Sequence, residues 1–175
     1  MKPASRFAAA IVALSLIGPS LAWTSGPVLA LTPPPQVPPG QPQPVAHPYD
    51  TPAAAHDAVA AAVRQARQSG RRLLIDFGAN WCPDCRMLAG VMRLAPVQPW
   101  VAQNFVPVSV NVDHFNVNMD IARRYGVVVK AIPTVLIVTP DGKLLNADGT
   151  LTLGNARTMS SQAVVDQLAK WNARS

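Results

Sequence analysis

Residues 73–85 read Leu73-Leu74-Ile75-Asp76-Phe77-Gly78-Ala79-Asn80-Trp81-Cys82-Pro83-Asp84-Cys85. The run from Leu73 to Phe77 is short and apolar, the pattern of a strand buried on both faces. Asp76 is the one residue in it that burial penalises. Past Gly78 the period changes. Over residues 82–94 Met87, Val91 and Leu94 recur on one side at helical spacing. Pro83 suits a first helical turn, where a missing N–H costs nothing. The segment therefore reads as strand, short loop and helix, with Cys82 at the junction.

Working outward, residues 53–69 form an Ala-rich stretch free of breakers until Gly70, with Val59, Val63 and Ala66 at helical spacing. Pro96 and Pro99 interrupt the helix after Cys82 and force a restart. Residues 105–112 read as a strand, residues 117–125 as a helix closed by Gly126, and residues 134–138 as another strand. A Pro140-Asp141-Gly142-Lys143 turn predicts a hairpin, with a fourth strand over residues 143–146. A last helix, capped by Ser160 or Ser161, carries Val164, Val165, Leu168 and Trp171 on one face. The order α-β-α-β-α-β-β-α predicts an α/β fold, a central mixed sheet with helices on both faces, over residues 53–175.

The start of the chain differs. Lys2 and Arg6 precede a short apolar run at residues 7–17, and Ser20-Leu21-Ala22 fits a small-x-small cleavage pattern, with Val28-Leu29-Ala30 as a second candidate. The run is shorter than the ~20 residues needed to span a membrane, so residues 1–22 read as an export signal, cleaved after 22 or 30, rather than an anchor. Residues 23–52 are crowded with proline, which removes backbone donors and favours an extended solvated chain. They read as a disordered tether.

The 175 residues include 49% hydrophobic residues and carry a net charge of +6. The basic residues (Arg64, Arg67, Arg71, Arg72, Arg123, Arg124) are scattered and not interleaved with aromatics, which argues against nucleic-acid binding. The chain has only 2 cysteines, and both lie in the Cys-x-x-Cys at Cys82 and Cys85. A disulfide scaffold needs more cysteines, widely spaced, and a structural zinc site usually needs four ligands. His47, His56 and His114 show no ligand-like spacing, and no metal site is expected. Redox chemistry remains. At a helix N-terminus the free amides and the dipole stabilise a thiolate, the species that attacks disulfides. Cys82 reads as the nucleophile and Cys85, two residues on, as the resolving thiol. A purely structural disulfide is the bland alternative.

Together with Ala131-Ile132-Pro133-Thr134 leading into a strand, the 74–85 segment resembles the active site of the thioredoxin superfamily. Trp81 stands where that family has tryptophan before its first cysteine, and Asp76 matches its buried strand carboxylate. Ile132 and Pro133 match its cis-proline segment, and Gly154 its glycine after the last strand. The resemblance implies that Asp76 accepts the Cys85 proton, against the alternative of an exposed strand-end aspartate. It implies that Pro133 sets backbone groups beside the dithiol, against an ordinary trans proline. Trp81 would shape the surface by the thiols or simply fill the core. There are departures: Ser109 replaces a lysine of that family, Gly78 replaces a commonly bulky aromatic, and the stretches between Gly126 and Pro133 and from Lys143 to Gly154 are long. The resemblance is nearer to exported thioredoxin-like reductases than to cytosolic thioredoxin.

The expectation is a thiol–disulfide oxidoreductase without cofactor, a reductase of exported, periplasmic protein disulfides fed by a membrane-embedded thiol reductase. Asp84 supports that direction, because a carboxylate near Cys82 disfavours its thiolate. Oxidase or isomerase activity is the alternative within the same chemistry. Copper(I) held by Cys82, Cys85 and a third ligand such as His114 is the alternative outside it.

Overall fold

The computed structural model describes residues 31–40 and 42–175. The export signal read at residues 1–22, with both cleavage positions, lies outside the described residues. Among those described, a short 3₁₀ turn (Pro52–Ala54) leads into α1 (Ala55–Ser69), β1 (Arg72–Gly78), α2 (Pro83–Met92), α3 (Val97–Asn104) and β2 (Phe105–Asn111). These are followed by α4 (Met119–Arg123), β3 (Thr134–Val138), a second 3₁₀ turn (Ala156–Thr158) and α5 (Ser161–Asn172). The sheet has three strands in the order β2-β1-β3, with β1 parallel to β2 and antiparallel to β3.

As the central strand, β1 is covered on both faces, and its alternation sorts the core. Leu73, Ile75 and Phe77 point to one side, against Val59, Ala62 and Ala66 of α1 and Ile121 and Ala122 of α4. Leu74 points to the other, against Leu88 and Val91 of α2, Val97 and Trp100 of α3, and Val164, Leu168 and Trp171 of α5. By the same period of two, Asp76 and Gly78 share the face of Leu74, the one that α2 covers. Ser160 caps α5 by accepting from the Ala163 amide at 3.1 Å, an interaction worth about 1 kcal/mol in a typical helix.

Two expectations fail. No fourth strand forms over residues 143–146: only an isolated bridge joins Val138 to Leu144. The buried side chain of Asn146 does the work of the missing partner. Its Oδ1 accepts from the Ile137 amide at 2.9 Å, and its Nδ2 donates to the Val135 carbonyl at 2.8 Å. The Leu145 amide and the Thr150 carbonyl meet the Ile137 carbonyl and the Val135 amide, so side chain and backbone together satisfy the edge of β3 without a continuous strand.

Nor is the proline-rich stretch a disordered tether over residues 31–52. It is an arm laid across the α2, α3 and α5 side of the domain. Proline cannot donate, but its flanking carbonyls accept, and donors on the domain meet them. Trp100 Nε1 donates to the Thr32 carbonyl at 3.0 Å, Gln162 Nε2 to Pro35 at 3.2 Å and Arg86 Nε to Val45 at 3.0 Å. The Val45 amide returns a bond to the Arg86 carbonyl at 3.0 Å. Gly90 permits the close approach, since a Cβ there would collide with the Gln43 carbonyl.

Candidate functional site

Cys82 is the N-cap of α2, with extended backbone (φ −80°, ψ 115°), and Pro83 opens the helix. Cys82 Sγ accepts a hydrogen bond from the Cys85 amide at 3.2 Å, so it stands where the free amides and the dipole favour a thiolate. Cys82 and Cys85 are joined in a disulfide. Cys82 keeps 4% exposure and Cys85 none, which leaves Cys82 as the sulfur an incoming substrate can reach.

The Ile132–Pro133 bond is cis, and the Ile132 carbonyl lies 3.7 Å from Cys82 Sγ. The backbone ahead of β3 thus flanks the dithiol. Gly154 keeps the following loop close, because a Cβ there would stand 2.9 Å from the Leu151 carbonyl and 3.9 Å from that of Pro133.

Asp76 is 1% exposed, a buried carboxylate and not a strand-end one. In the sheet it lies between Ser109 of β2 and Val135 of β3, neither of them charged. Its Oδ2 accepts from the Tyr49 hydroxyl at 2.8 Å, while its Oδ1 is buried without a hydrogen-bond partner among the described residues. Burial raises its pKa to about 7, and the Tyr49 bond, which favours the charged form, offsets only part of that. The group is thereby poised to take or release a proton near neutrality. Burial and then the Asp76 carboxylate push the Tyr49 hydroxyl far above its usual range, so Tyr49 is the donor.

Tyr49 belongs to the arm, and the sequence reading missed it. It is 3% exposed and packs in one cluster with Cys82, Cys85 and Ile132. Gly78 explains how it fits, since a Cβ there would strike the Tyr49 hydroxyl and stand 2.9 Å from Cys85 Sγ. The bulky aromatic absent from position 78 is in effect supplied from the arm. The signal available in the sequence was the pairing of that glycine with a tyrosine just ahead of the domain.

Trp81 is not a core residue. It is 49% exposed, donates from Nε1 to the Asp113 carbonyl at 3.0 Å and stacks on His114 with ring centroids 5.4 Å apart. Phe115 meets its edge at 6.4 Å. These three rings form an exposed aromatic surface beside the cysteines. His114, one example of a third copper ligand, stacks on this ring and lies 3.0 Å from Asp113. No three His, Cys, Asp or Glu side chains are grouped to hold a metal ion among the described residues. Asp84 is not a bare charge: Arg157 binds it through its backbone amide at 3.0 Å and Nε at 3.1 Å.

Residues 54–140 match a family model described as thioredoxin-like. The chain is 37% identical over 89 residues to thioredoxin 1 of Synechococcus elongatus, covering 45% of this chain and 73% of that protein. It is 29% identical over 96 residues to a thioredoxin-like protein of Fusarium culmorum, covering 55% of this chain and 74% of the other. Among solved structures it is similar to a disulphide isomerase from Xylella fastidiosa Temecula1, at 35% identity and a TM-score of 0.66, over 71% of this chain and 95% of that one.

Proposed function

This chain belongs to the thioredoxin-like family, and we propose that it works as a reductase of protein disulfides outside the cytoplasm. The observation that carries the exchange reading is Cys82, reachable at the N-cap of α2 with the fully buried Cys85 behind it. The Cys82 thiolate attacks a substrate disulfide, whose S–S bond breaks. One substrate sulfur joins Cys82 and the other leaves as a thiolate. Cys85 gives its proton to Asp76 and its thiolate attacks Cys82 Sγ. The second substrate thiolate leaves and takes up a proton. Two electrons pass to the substrate, and the enzyme is left with the Cys82–Cys85 disulfide, which needs a dithiol donor to restore it.

The reducing direction rests on Asp84, whose negative charge on the first turn of α2 disfavours the Cys82 thiolate even though Arg157 offsets part of it. Export rests on Lys2, Arg6 and the apolar run at residues 7–17, and outside the cytoplasm a membrane-embedded thiol reductase would supply the electrons. The name of the Xylella protein favours isomerisation as the second reading, since shuffling uses the same attack by Cys82 with the mixed disulfide resolved by the substrate itself. Insulin reduction and the potential of the couple test the proposal. A reductase is expected nearer the ~−270 mV of thioredoxin, whereas a value near ~−120 mV would make it an oxidant.

A further inference from the structure

The buried site holds a group that the exchange steps above leave without a task. The Tyr49 hydroxyl is bonded to Asp76 Oδ2, and the hydroxyl and Cys85 Sγ both border the space over Gly78, where a Cβ would strike the one and stand 2.9 Å from the other. No other side chain among the described residues hydrogen-bonds to Asp76, and the facing strands bring only Ser109 and Val135. Tyr49, the hydrogen-bond partner of the carboxylate, packs in one cluster with Cys82 and Cys85 of α2. Gly78 leaves the volume that Tyr49 fills, and Asn80 holds the tyrosine backbone from both sides, accepting from its amide at 3.0 Å and donating to its carbonyl at 2.9 Å.

We propose that Tyr49 is a catalytic residue of the resolving step, relaying the Cys85 proton to Asp76. The Cys85 S–H proton passes to Tyr49 Oη as the Tyr49 O–H proton passes to Asp76 Oδ2. The phenol ends as it began, Cys85 becomes the attacking thiolate and Asp76 becomes the neutral acid. The two transfers are concerted, because burial and the adjoining carboxylate make a free tyrosinate costly. The arm therefore completes the active site, and the domain without it lacks a working part.

The inference rests on the exchange reading, and one experiment separates the two. The full chain is loaded at Cys82 with thionitrobenzoate as a mixed disulfide, and release of the coloured thiol reports attack by Cys85. In wild type, release should follow an ionisation near that of Asp76. Tyr49→Phe keeps the ring but removes the relay, and should slow release at least about tenfold near neutral pH. The gap should close above about pH 9, where a thiol ionises unaided. Gly78→Ala, which drives the hydroxyl out while keeping it in the chain, should show the same loss. Equal rates for Tyr49→Phe and wild type across the range would overturn the relay and leave the exchange reading standing. No release from the loaded wild type would overturn both.

Discussion

The carboxylate of Asp84 is held on both oxygens by Arg157, Oδ1 by the backbone amide at 3.0 Å and Oδ2 by Nε at 3.1 Å. The contact ties the Ala156–Thr158 turn to the first turn of α2 and brings a cation to the carboxylate two residues after Cys82. Removing that cation should expose the carboxylate and destabilise the Cys82 thiolate further. Arg157→Ala is therefore expected to lower the reduction potential by roughly 10–30 mV, where ~30 mV corresponds to about 1.4 kcal/mol. Asp84→His should raise it. Equilibration with glutathione measures both, and a higher potential in Arg157→Ala would remove Asp84 as the electrostatic control.

Asp76 should make the fold less stable as pH rises. Burying a carboxylate costs several kcal/mol, and one hydrogen bond to a charged group returns about 1.5–3 kcal/mol, so burial wins and the pKa sits near 7. Between the ordinary carboxylate value and about 7 the native state binds more protons than the unfolded chain. Stability is thus fullest below that window, falls through it and is flat above. Asp76→Asn lacks the titration. Its stability relative to wild type should climb by a few kcal/mol from about pH 4 to 7, while exchange near neutrality slows. Urea midpoints across that range decide it, and parallel profiles would mean the carboxylate is not desolvated.

Gly90 should control the docking of the arm. A valine there would push its Cβ into the Gln43 carbonyl, and the neighbouring bond from the Val45 amide to Arg86 should open more often. Hydrogen exchange at Val45 is expected to rise at least about tenfold in Gly90→Val, with β1 amides unaffected. Unchanged exchange at Val45 would mean the arm does not need that approach.

The strand at Leu73, the helix start at Pro83 and the cysteine pair were legible because each is a local pattern: an apolar run, a proline suited to a first turn, a fixed spacing. Burial of Asp76 and the cis bond at Pro133 followed from the family resemblance. What failed were places where a side chain replaces a regular backbone partner. Asn146 stands in for a strand, and the polar side chains Arg86, Trp100 and Gln162 hold a proline-rich arm that has no periodicity of its own. Tyr49 escaped local reading for the same reason: within a non-repeating segment the only pointer to which residue turns inward was the glycine at position 78, far along the chain. The pairing of Asp84 with Arg157, far apart in sequence, was equally beyond local reading.

The central claim is that Cys82 attacks and Cys85 resolves, and trapping tests it most directly. Full-length Cys85→Ser and Cys82→Ser variants are mixed with a disulfide-bonded substrate protein such as insulin, quenched with acid and separated without reductant. Cys85→Ser should accumulate a mixed disulfide through Cys82, because the thiol that would release it is gone, and Cys82→Ser should accumulate almost none, because Cys85 is fully buried. Equal trapping by the two variants, or trapping by Cys82→Ser alone, would contradict the assignment.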